Sequence, residues 1–270
     1  MFEPISSEVR VRIAAGSSAF RFAGATSPFA LGSTIRQGRV NDRPVLVRGD
    51  FHAGTDAPAL TSDCIALPEG VDAANAPLIL PVATALSLWQ SVELELGEAA
   101  VWTSGGILSA LAGQVAVWRG ACPAIELGST ADAPDRVVGT DRIDWSDAEE
   151  AARRLNELVQ GCPGFAAVDL SGRADVIDVL LESMPSFGRL LLAGPAGDPV
   201  TIDFYKNVHR KGVVIRSMVL DPSLAFDPVA GAPIRAEIPR AVNLLANPAM
   251  AERCGTLTHY APSGALAFAG

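Results

Sequence analysis

The stretch of this sequence most suggestive of chemistry lies at residues 101–109, where an apolar run meets a small-residue turn, VWTSGGILS. A strand, a glycine turn and a helix in that order can hold a phosphate group, because the turn admits it and the helix N-terminus attracts an anion. The dinucleotide fingerprint places glycine at three positions, for a tight turn, for phosphate approach and for close packing of helix on strand. Here those positions hold Ser104, Gly106 and Ser109, so only the glycine for phosphate approach is kept. The pattern predicts weakened nucleotide binding at Ser104, Gly105, Gly106, Ile107 and Leu108.

The end of the next predicted strand, AIEL, decides which nucleotide would fit. A carboxylate at this position binds the hydroxyls of an adenosine ribose and repels a 2′-phosphate. The position falls at Gly128, followed by Ser129 and Thr130, whose hydroxyls can bond a phosphate, with Arg136 as a further candidate contact. Glu126 lies two residues earlier and, by the alternation of a strand, on the same side as Gly128. NADP is therefore the favoured cofactor, with NAD or no cofactor as alternatives.

Side chains that could transfer protons or bind a metal are few. The chain has three histidines and two tyrosines, and its four cysteines lie far apart, with no Cys-x-x-Cys and no histidine at ligand spacing. We therefore predict no metal site and interpret the cysteines as buried free thiols. His52 and His209 each fit an exposed loop as well as a site. Asp169 lies at the carboxyl end of the predicted strand FAAVDL, where open α/β sheets bind ligands, although a carboxylate there can also cap a loop.

Two different patterns of apolar residues predict two kinds of sheet. Residues 1–70 contain short alternating runs, such as VRVRI and RPVLVRG, which are typical of half-buried antiparallel strands. From residue 99 onward, apolar strands alternate with helices such as DAEEAARRLNELVQG, which indicates a parallel, doubly wound sheet with right-handed crossovers. Between them, DAANAPLILPVATALSLWQSVEL predicts two helical pieces, the first limited by Pro77 and Pro81.

The order of these blocks resembles the medium-chain dehydrogenase/reductase superfamily, especially its zinc-independent, quinone-reductase-like branch. The resemblance runs from about Cys64 to Leu220 and rests on IALPEGVDAANAPLILPVATAL, LGEAAVWTSGGILSALAGQVAVWRGA, DRIDW, FAAVDLSGR, GRLLLAGPAG and HRKGVVIRSMV. It implies an α/β fold, a Rossmann-type doubly wound parallel sheet plus a reduced GroES-like β domain. The β domain would comprise residues 1–80 and 240–270, and the nucleotide-binding domain residues 81–239.

The resemblance also implies roles for individual residues. Thr84 lies where relatives approach a nicotinamide, and the loops after the fourth and fifth strands carry Ser171, Gly172 and Gly194. In the zinc-free branch the protein mainly positions a hydride donor against an acceptor, and the proton comes from solvent or a tyrosine. Tyr205 is the tyrosine considered, and His52 lies in a loop that could face the crevice.

The chain also departs from the family pattern. The part before the resemblance is too short for a complete GroES-like barrel, and neither the Gly-His-Glu zinc motif nor a structural cysteine cluster is present. After Leu220 the chain would return to the first domain through a helix, PRAVNLLANPA (239–249), and a last strand, TLTHYAP (256–262).

Composition excludes several classes of partner. With 30 acidic and 21 basic residues the net charge is −9, which repels nucleic acid and anionic membranes. The apolar runs are interrupted before the ~20 residues that a bilayer span needs, and the first dozen residues lack a secretory pattern. We expect a cytoplasmic protein with a small-molecule substrate. The segment GVVIRSMVL (212–220), expected at one edge of the sheet, predicts a homodimer, because an open apolar edge needs a cover.

Three functions stay open on the sequence alone. The first is a zinc-independent, NAD(P)H-dependent oxidoreductase that transfers a hydride to a small carbonyl, enone or quinone. The second is a cofactor-poor pseudoenzyme that serves as a scaffolding subunit, motivated by the shortened small domain and the serines in the turn. The third is a non-redox isomerase or lyase that uses the same fold.

Overall fold

The fold is taken from a computed structural model of the chain. The structure describes residues 8–13, 20–21, 34–41, 43–48, 54, 56–68, 75, 78–103, 106–128, 137, 139–194, 199–220, 225–227 and 232–258. The chain divides into two compact units, Met1–Thr84 with Asp221–Ala269, and Ala85–Leu220. The boundaries that we expected, at 80/81 and 239/240, stay a prediction.

The first unit is built on antiparallel strands. Within the described residues its sheet has the order β5-β1-β3-β4-β6, with β2 paired to β3. The strands are β1 (Glu8–Ile13), β2 (Phe20–Arg21), β3 (Thr34–Val40), β4 (Arg43–Arg48), β5 (Asp56–Leu60) and β6 (Cys64–Ala66). Buried side chains of β4 and β5, Val45, Val47 and Ala59, form a small core. The antiparallel strands predicted for residues 1–70 are confirmed.

Two helices follow in the first unit, α5 (Ala232–Leu245) and α6 (Pro248–Thr258). The last strand predicted at 256–262 is therefore wrong for residues 256–258, which are helical, and the remainder lies outside the described residues. The start of α6 explains the difference. The Asn247 side chain accepts a hydrogen bond from the Ala249 N–H at 3.0 Å, and Pro248 occupies the first helical position, an arrangement that favours a helix over an extended chain.

The second unit holds a parallel sheet. Its described strands have the order β12-β11-β10-β7-β8-β9, and each neighbouring pair is parallel. They are β7 (Ala99–Thr103), β8 (Ala124–Gly128), β9 (Asp141–Asp144), β10 (Phe165–Asp169), β11 (Arg189–Leu192) and β12 (Val214–Ser217). The chain order reverses between β7 and β10, the switch point beside which doubly wound sheets bind ligands. The predicted Rossmann-type sheet is confirmed.

The helices that precede and cross this sheet are α1 (Ile79–Ser91), α2 (Gly106–Trp118), α3 (Ala148–Val159) and α4 (Ala174–Ser183). The second of the two helical pieces predicted for residues 72–94 is confirmed as α1. The break predicted at Pro81 is wrong, because Pro81 stands in the first turn of α1, where its missing N–H removes no intrahelical bond. The first piece lies mostly outside the described residues. The predicted acidic helix is confirmed as α3. Its N-cap is Asp147, whose side chain accepts hydrogen bonds from the N–H groups of Glu149 and Glu150, both at 3.1 Å.

Two buried tryptophans fix α2 against β7. The rings of Trp89 and Trp102 meet edge to face, with centroids 6.3 Å apart, and Trp89 Nε1 donates to the Ala112 carbonyl at 2.8 Å. A Cβ atom on Gly113 would lie 2.5 Å from the Trp102 ring, so glycine is needed for this close approach. The middle of α2 is therefore packed closely against β7.

Candidate functional site

The carboxyl ends of β7 and β10 form the centre of the candidate site. The two strands are paired through Val168 and Trp102, so the next residues, Asp169 and Thr103, lie side by side at the strand ends. Asp169 is 1% exposed and Thr103 is fully buried. Two buried polar side chains therefore lie side by side at the edge of the sheet where its ligands would bind.

The Asp169 carboxylate caps the loop that follows β10. Oδ1 accepts hydrogen bonds from Thr103 Oγ1 at 3.2 Å, from Ser171 N at 3.0 Å and from Ser171 Oγ at 2.6 Å. Oδ2 accepts from Gly172 N at 3.0 Å. Both oxygens are engaged within the protein and are almost fully buried, so Asp169 shapes the loop and presents its backbone to any ligand.

A second loop, after β11, touches the first one backbone to backbone. The N–H groups of Ala193 and Gly194 donate to the Asp169 carbonyl at 2.9 and 2.8 Å. A Cβ atom on Gly194 would lie 2.3 Å from Gly172 N and 2.6 Å from the Leu170 carbonyl carbon. No larger residue fits without moving one of the loops. The structure thus brings together four predicted site residues: Asp169, Ser171, Gly172 and Gly194.

The turn before α2 is described only from its helical side. Ser104 and Gly105 lie outside the described residues, and α2 begins at Gly106. Leu108 is buried, so its side chain belongs to the core and only its backbone could face a ligand; nothing is described of the Ile107 side chain. The first turn of a thirteen-residue helix leaves backbone N–H groups without intrahelical partners at the carboxyl end of β7, and such groups bind anions.

The third fingerprint position, Ser109, has a partner that the sequence did not reveal. Ser109 is buried, and its Oγ donates to Glu126 Oε1 on β8 at 3.1 Å. The other carboxylate oxygen, Oε2, lies 4.0 Å from Arg142 Nη1 on β9, and both side chains are only 14% exposed. Glu126 and Arg142 are register partners in the sheet. The Glu126 carboxylate therefore lies between α2 and β9, next to Ser109 on one side and Arg142 on the other.

Thr84 and Tyr205, two predicted catalytic residues, lie in different surroundings. Thr84 is fully buried in α1, where its Oγ1 donates to the Leu80 carbonyl at 2.8 Å. Tyr205 is exposed in a short π-helical segment, Phe204–His209, and its ring stacks on His209 with centroids 5.5 Å apart.

That π-helical segment lies beside the end of α4. Lys206 Nζ is 3.3 Å from Glu182 Oε1, and α4 runs from the carboxyl edge of the sheet back to its amino edge. The structure therefore does not bring Tyr205 together with Asp169 and Gly194. Four other predicted site residues lie outside the described residues: His52, Ser129, Thr130 and Arg136.

The cysteines do not share one environment. Cys254 is buried, and burial raises the pKa of its thiol to about 11. Cys64 and Cys162 are partly buried, and burial raises the pKa of each. Cys122 is exposed, because it lies in the turn between α2 and β8, so the prediction of buried thiols is wrong there. Among the described residues, no three His, Cys, Asp or Glu side chains are grouped as a metal site would require.

None of the helices in the described part of the chain combines the length and the apolar character needed to cross a membrane.

Thr103 is the residue at this site that sequence reasoning missed. It ends the buried apolar strand AAVWT and directly precedes the small-residue turn. A hydroxyl at the end of a fully buried strand was the available signal, since buried polar groups require partners. The partner, Asp169, lies 66 residues away in the sequence.

Solved structures share this architecture. Galactitol-1-phosphate dehydrogenase from Escherichia coli aligns with a TM-score of 0.65 and 13% identity, covering 94% of this chain and 84% of that one. The quinone oxidoreductase from Pseudomonas syringae pv. tomato aligns with a TM-score of 0.64 and 18% identity over 99% of this chain and 94% of that one. The quinone oxidoreductase from Thermus thermophilus, also solved in complex with NADPH, gives 0.56 and 18% over 89% and 83%.

The chain has the fold of the medium-chain dehydrogenases and reductases. The predicted fold class, a Rossmann-type sheet with a GroES-like β domain, is thereby confirmed. No protein-family model matches the sequence, and no curated protein matches it. At identities below one fifth, the likeness to these structures establishes the fold and leaves the chemistry to be inferred from the site.

Proposed function

We propose that the chain is an NAD(P)H-dependent oxidoreductase that transfers a hydride to a small carbonyl, enone or quinone without zinc. One observation carries the proposal: at the switch point of the sheet, two glycine loops meet backbone to backbone beside the N-terminus of α2. Such an edge suits an extended anionic cofactor, because backbone can approach it closely and unpaired N–H groups face it. The likeness to dehydrogenases and quinone oxidoreductases supports the same class of reaction.

The described residues suit a dinucleotide by their donor chemistry and by the main chain that they place at this edge. The space that a Cβ atom on Gly194 would fill is taken by neighbouring backbone, so the two loops present main chain at this edge. In the proposed complex the first turn of α2 binds the pyrophosphate, and the loop capped by Asp169 orients the remainder of the cofactor. The bound nucleotide supplies the hydride. Because the described contacts of Tyr205 lie at the other edge of the sheet, we assign the proton to solvent.

NADP is the preferred cofactor in this proposal. An acidic side chain at the end of β8 would repel a 2′-phosphate, but Glu126 is engaged by Ser109 and lies close to Arg142. The Glu126 carboxylate is thus directed to partners inside the protein, so its repulsion of a 2′-phosphate is reduced. The strand itself ends in Gly128, and the hydroxyl residues Ser129 and Thr130 follow it in the sequence.

Nucleotide titration tests the proposal. We expect the fluorescence of NADPH to change on binding and NADPH to bind more tightly than NADH. Gly106→Val should abolish binding, because bulk at this position occupies the space of the phosphate. The matched control is Ala148→Val, which adds bulk at the exposed first residue of α3. A Gly106→Val variant that binds NADPH as tightly as the wild type would contradict the proposed site.

A scaffolding pseudoenzyme is the second candidate, favoured by the serines at two fingerprint positions. The double variant Ser104→Gly, Ser109→Gly separates the two functions. If the chain binds nucleotide, this variant should bind more tightly through restored turn freedom, and NADH should gain more than NADPH because Glu126 loses the Ser109 hydroxyl. Absence of binding by both wild type and variant would favour the pseudoenzyme.

We also propose a two-fold homodimer through β12. Within the described residues this strand has one neighbour, β11, and Val214 is 44% exposed. The N–H groups of Val214 and Met218 donate to the carbonyls of Gly188 and Leu192, on the β11 side, so by alternation the N–H of Ser217 faces the open edge. Ser217→Pro should give a monomer by light scattering without removing a bond to β11. A monomeric wild type at micromolar concentration would refute the dimer.

A further inference from the structure

We propose that Thr103 is a positioning residue of the nucleotide site, which fixes the loop after β10 relative to the end of β7. This inference rests on the proposed function. Thr103 is the last residue of β7, and Ser104 begins the small-residue turn. Asp169 is the last residue of β10. One hydroxyl therefore joins the two strand ends from which both halves of the site depart.

The Thr103 hydroxyl makes two hydrogen bonds across this junction. Oγ1 donates to Asp169 Oδ1 at 3.2 Å and accepts from the Leu170 N–H at 2.6 Å. The second bond holds the first loop residue directly, and the first bond holds the carboxylate that caps the loop. Thr103 is fully buried and Asp169 is 1% exposed, so water has no ready access to replace either contact.

Loss of this hydroxyl would weaken the attachment of the loop after β10 to β7. The Leu170 N–H would be left buried without an acceptor, and a buried unsatisfied donor is destabilising. The carboxylate would keep its bonds from Ser171 and Gly172, so the loop would remain folded but would be free to move relative to β7. Apparent affinity falls with the fraction of molecules whose loop is correctly placed.

Thr103→Val tests this role, since valine keeps the branched shape of threonine and replaces the hydroxyl with a methyl group that forms no hydrogen bond. We expect this variant to bind NADPH about tenfold more weakly, the effect of placing the loop correctly in about one molecule in ten. Thr103→Ser keeps the hydroxyl and should bind like the wild type. Titrations are run at a temperature at which circular dichroism shows every variant folded. This readout separates positioning from stability.

Thr140→Val is the matched control. Thr140 Oγ1 also donates a hydrogen bond, to the Val137 carbonyl at 2.8 Å, and Thr140 precedes β9, at the amino edge of the same sheet. We expect it to lose stability without losing nucleotide affinity. If Thr103→Val does not fold, Thr103→Cys takes its place, because a thiol is a weak hydrogen-bonding group, and the same loss of affinity is expected.

The outcomes separate the two proposals. A wild type that binds neither NADPH nor NADH would overturn the proposed function, and this inference with it. A wild type that binds NADPH, with Thr103→Val or Thr103→Cys binding equally well, would overturn this inference alone. A lower melting temperature with unchanged affinity would also overturn it, because Thr103 would then stabilise the fold without positioning the site.

Discussion

Gly194→Ala should be the most damaging methyl addition at the candidate site. The new Cβ atom would lie 2.3 Å from Gly172 N and 2.7 Å from the Leu170 carbonyl oxygen. Both are backbone atoms of the adjoining loop, and real Cβ contacts essentially never fall below 3.0 Å. The two loops must therefore separate by several tenths of an ångström, and the hydrogen bond from Gly194 N to the Asp169 carbonyl bridges the same gap.

The magnitude follows from these contacts. Overpacking a close-packed site costs about 1–3 kcal/mol, and weakening a loop hydrogen bond adds about 1 kcal/mol. We expect the free energy of unfolding to fall by about 3 kcal/mol, which lowers the melting temperature by roughly 10 °C for a unit of this size. Nucleotide affinity should fall as well, because the displaced loop is part of the proposed site. Calorimetry and NADPH titration measure the two effects.

Gly188→Ala is the matched control at the other end of β11. Its Cβ atom would also meet an atom at 2.3 Å, but that atom is Cγ of Met184, a buried side chain that can change its rotamer, whereas the atoms nearest Gly194 are backbone. Methionine adapts to irregular space, so we expect a loss of about 1 kcal/mol and no change in nucleotide binding. Equal destabilisation by the two variants would refute the claim that backbone contact at Gly194 sets the geometry of the site.

Three further predictions concern the rest of the fold. Arg189→Met should lower the free energy of unfolding in urea by about 3 kcal/mol, because it leaves the Glu98 carboxylate largely buried without its ion-pair partner, whereas the exposed Arg153→Met should leave the unfolding midpoint unchanged. Asp147→Ala should cost about 1 kcal/mol through loss of the cap of α3, and Asp147→Asn should retain most of it. A thiol reagent at pH 8 should modify the exposed Cys122 and spare Cys254 until the protein unfolds. The thiolate is the reactive form, and burial raises the pKa of Cys254 to about 11. Early labelling of Cys254 in a peptide map would contradict its burial.

The sequence predicted the parallel sheet well, because each buried strand is an apolar run of about five residues bounded by turn residues. AAVWT, FAAVD and RLLL all became strands, and the amphipathic DAEEAARRLNELVQG became α3. These are local signals. The prediction was wrong where local signals compete. The strand predicted from Thr256 is one case, since Asn247 and Pro248 start a helix that continues to Thr258.

The position of the site could be predicted from the sequence, but the hydrogen bonds between its side chains could not. The topology placed Asp169 at a strand end, and both of its proposed roles, ligand contact and loop cap, were open on the sequence. Only the three-dimensional contacts decide between them, since the cap depends on Thr103 as well as on nearby Ser171. A polar pair separated by 66 residues leaves no periodic pattern in the chain. Contacts of that kind need the register of the sheet.

Ser109 connects the two departures of this chain from a simple dinucleotide fingerprint. A glycine at that position would pack the helix against the strand and leave Glu126 without its hydroxyl donor. Serine packs nearly as closely and donates to Glu126. The same substitution that weakens the glycine motif therefore withdraws the carboxylate that would favour an unphosphorylated ribose. Under the proposed function, the weakened glycine motif and the choice of NADP are two effects of one residue, Ser109, and Ser109→Gly should reverse them together.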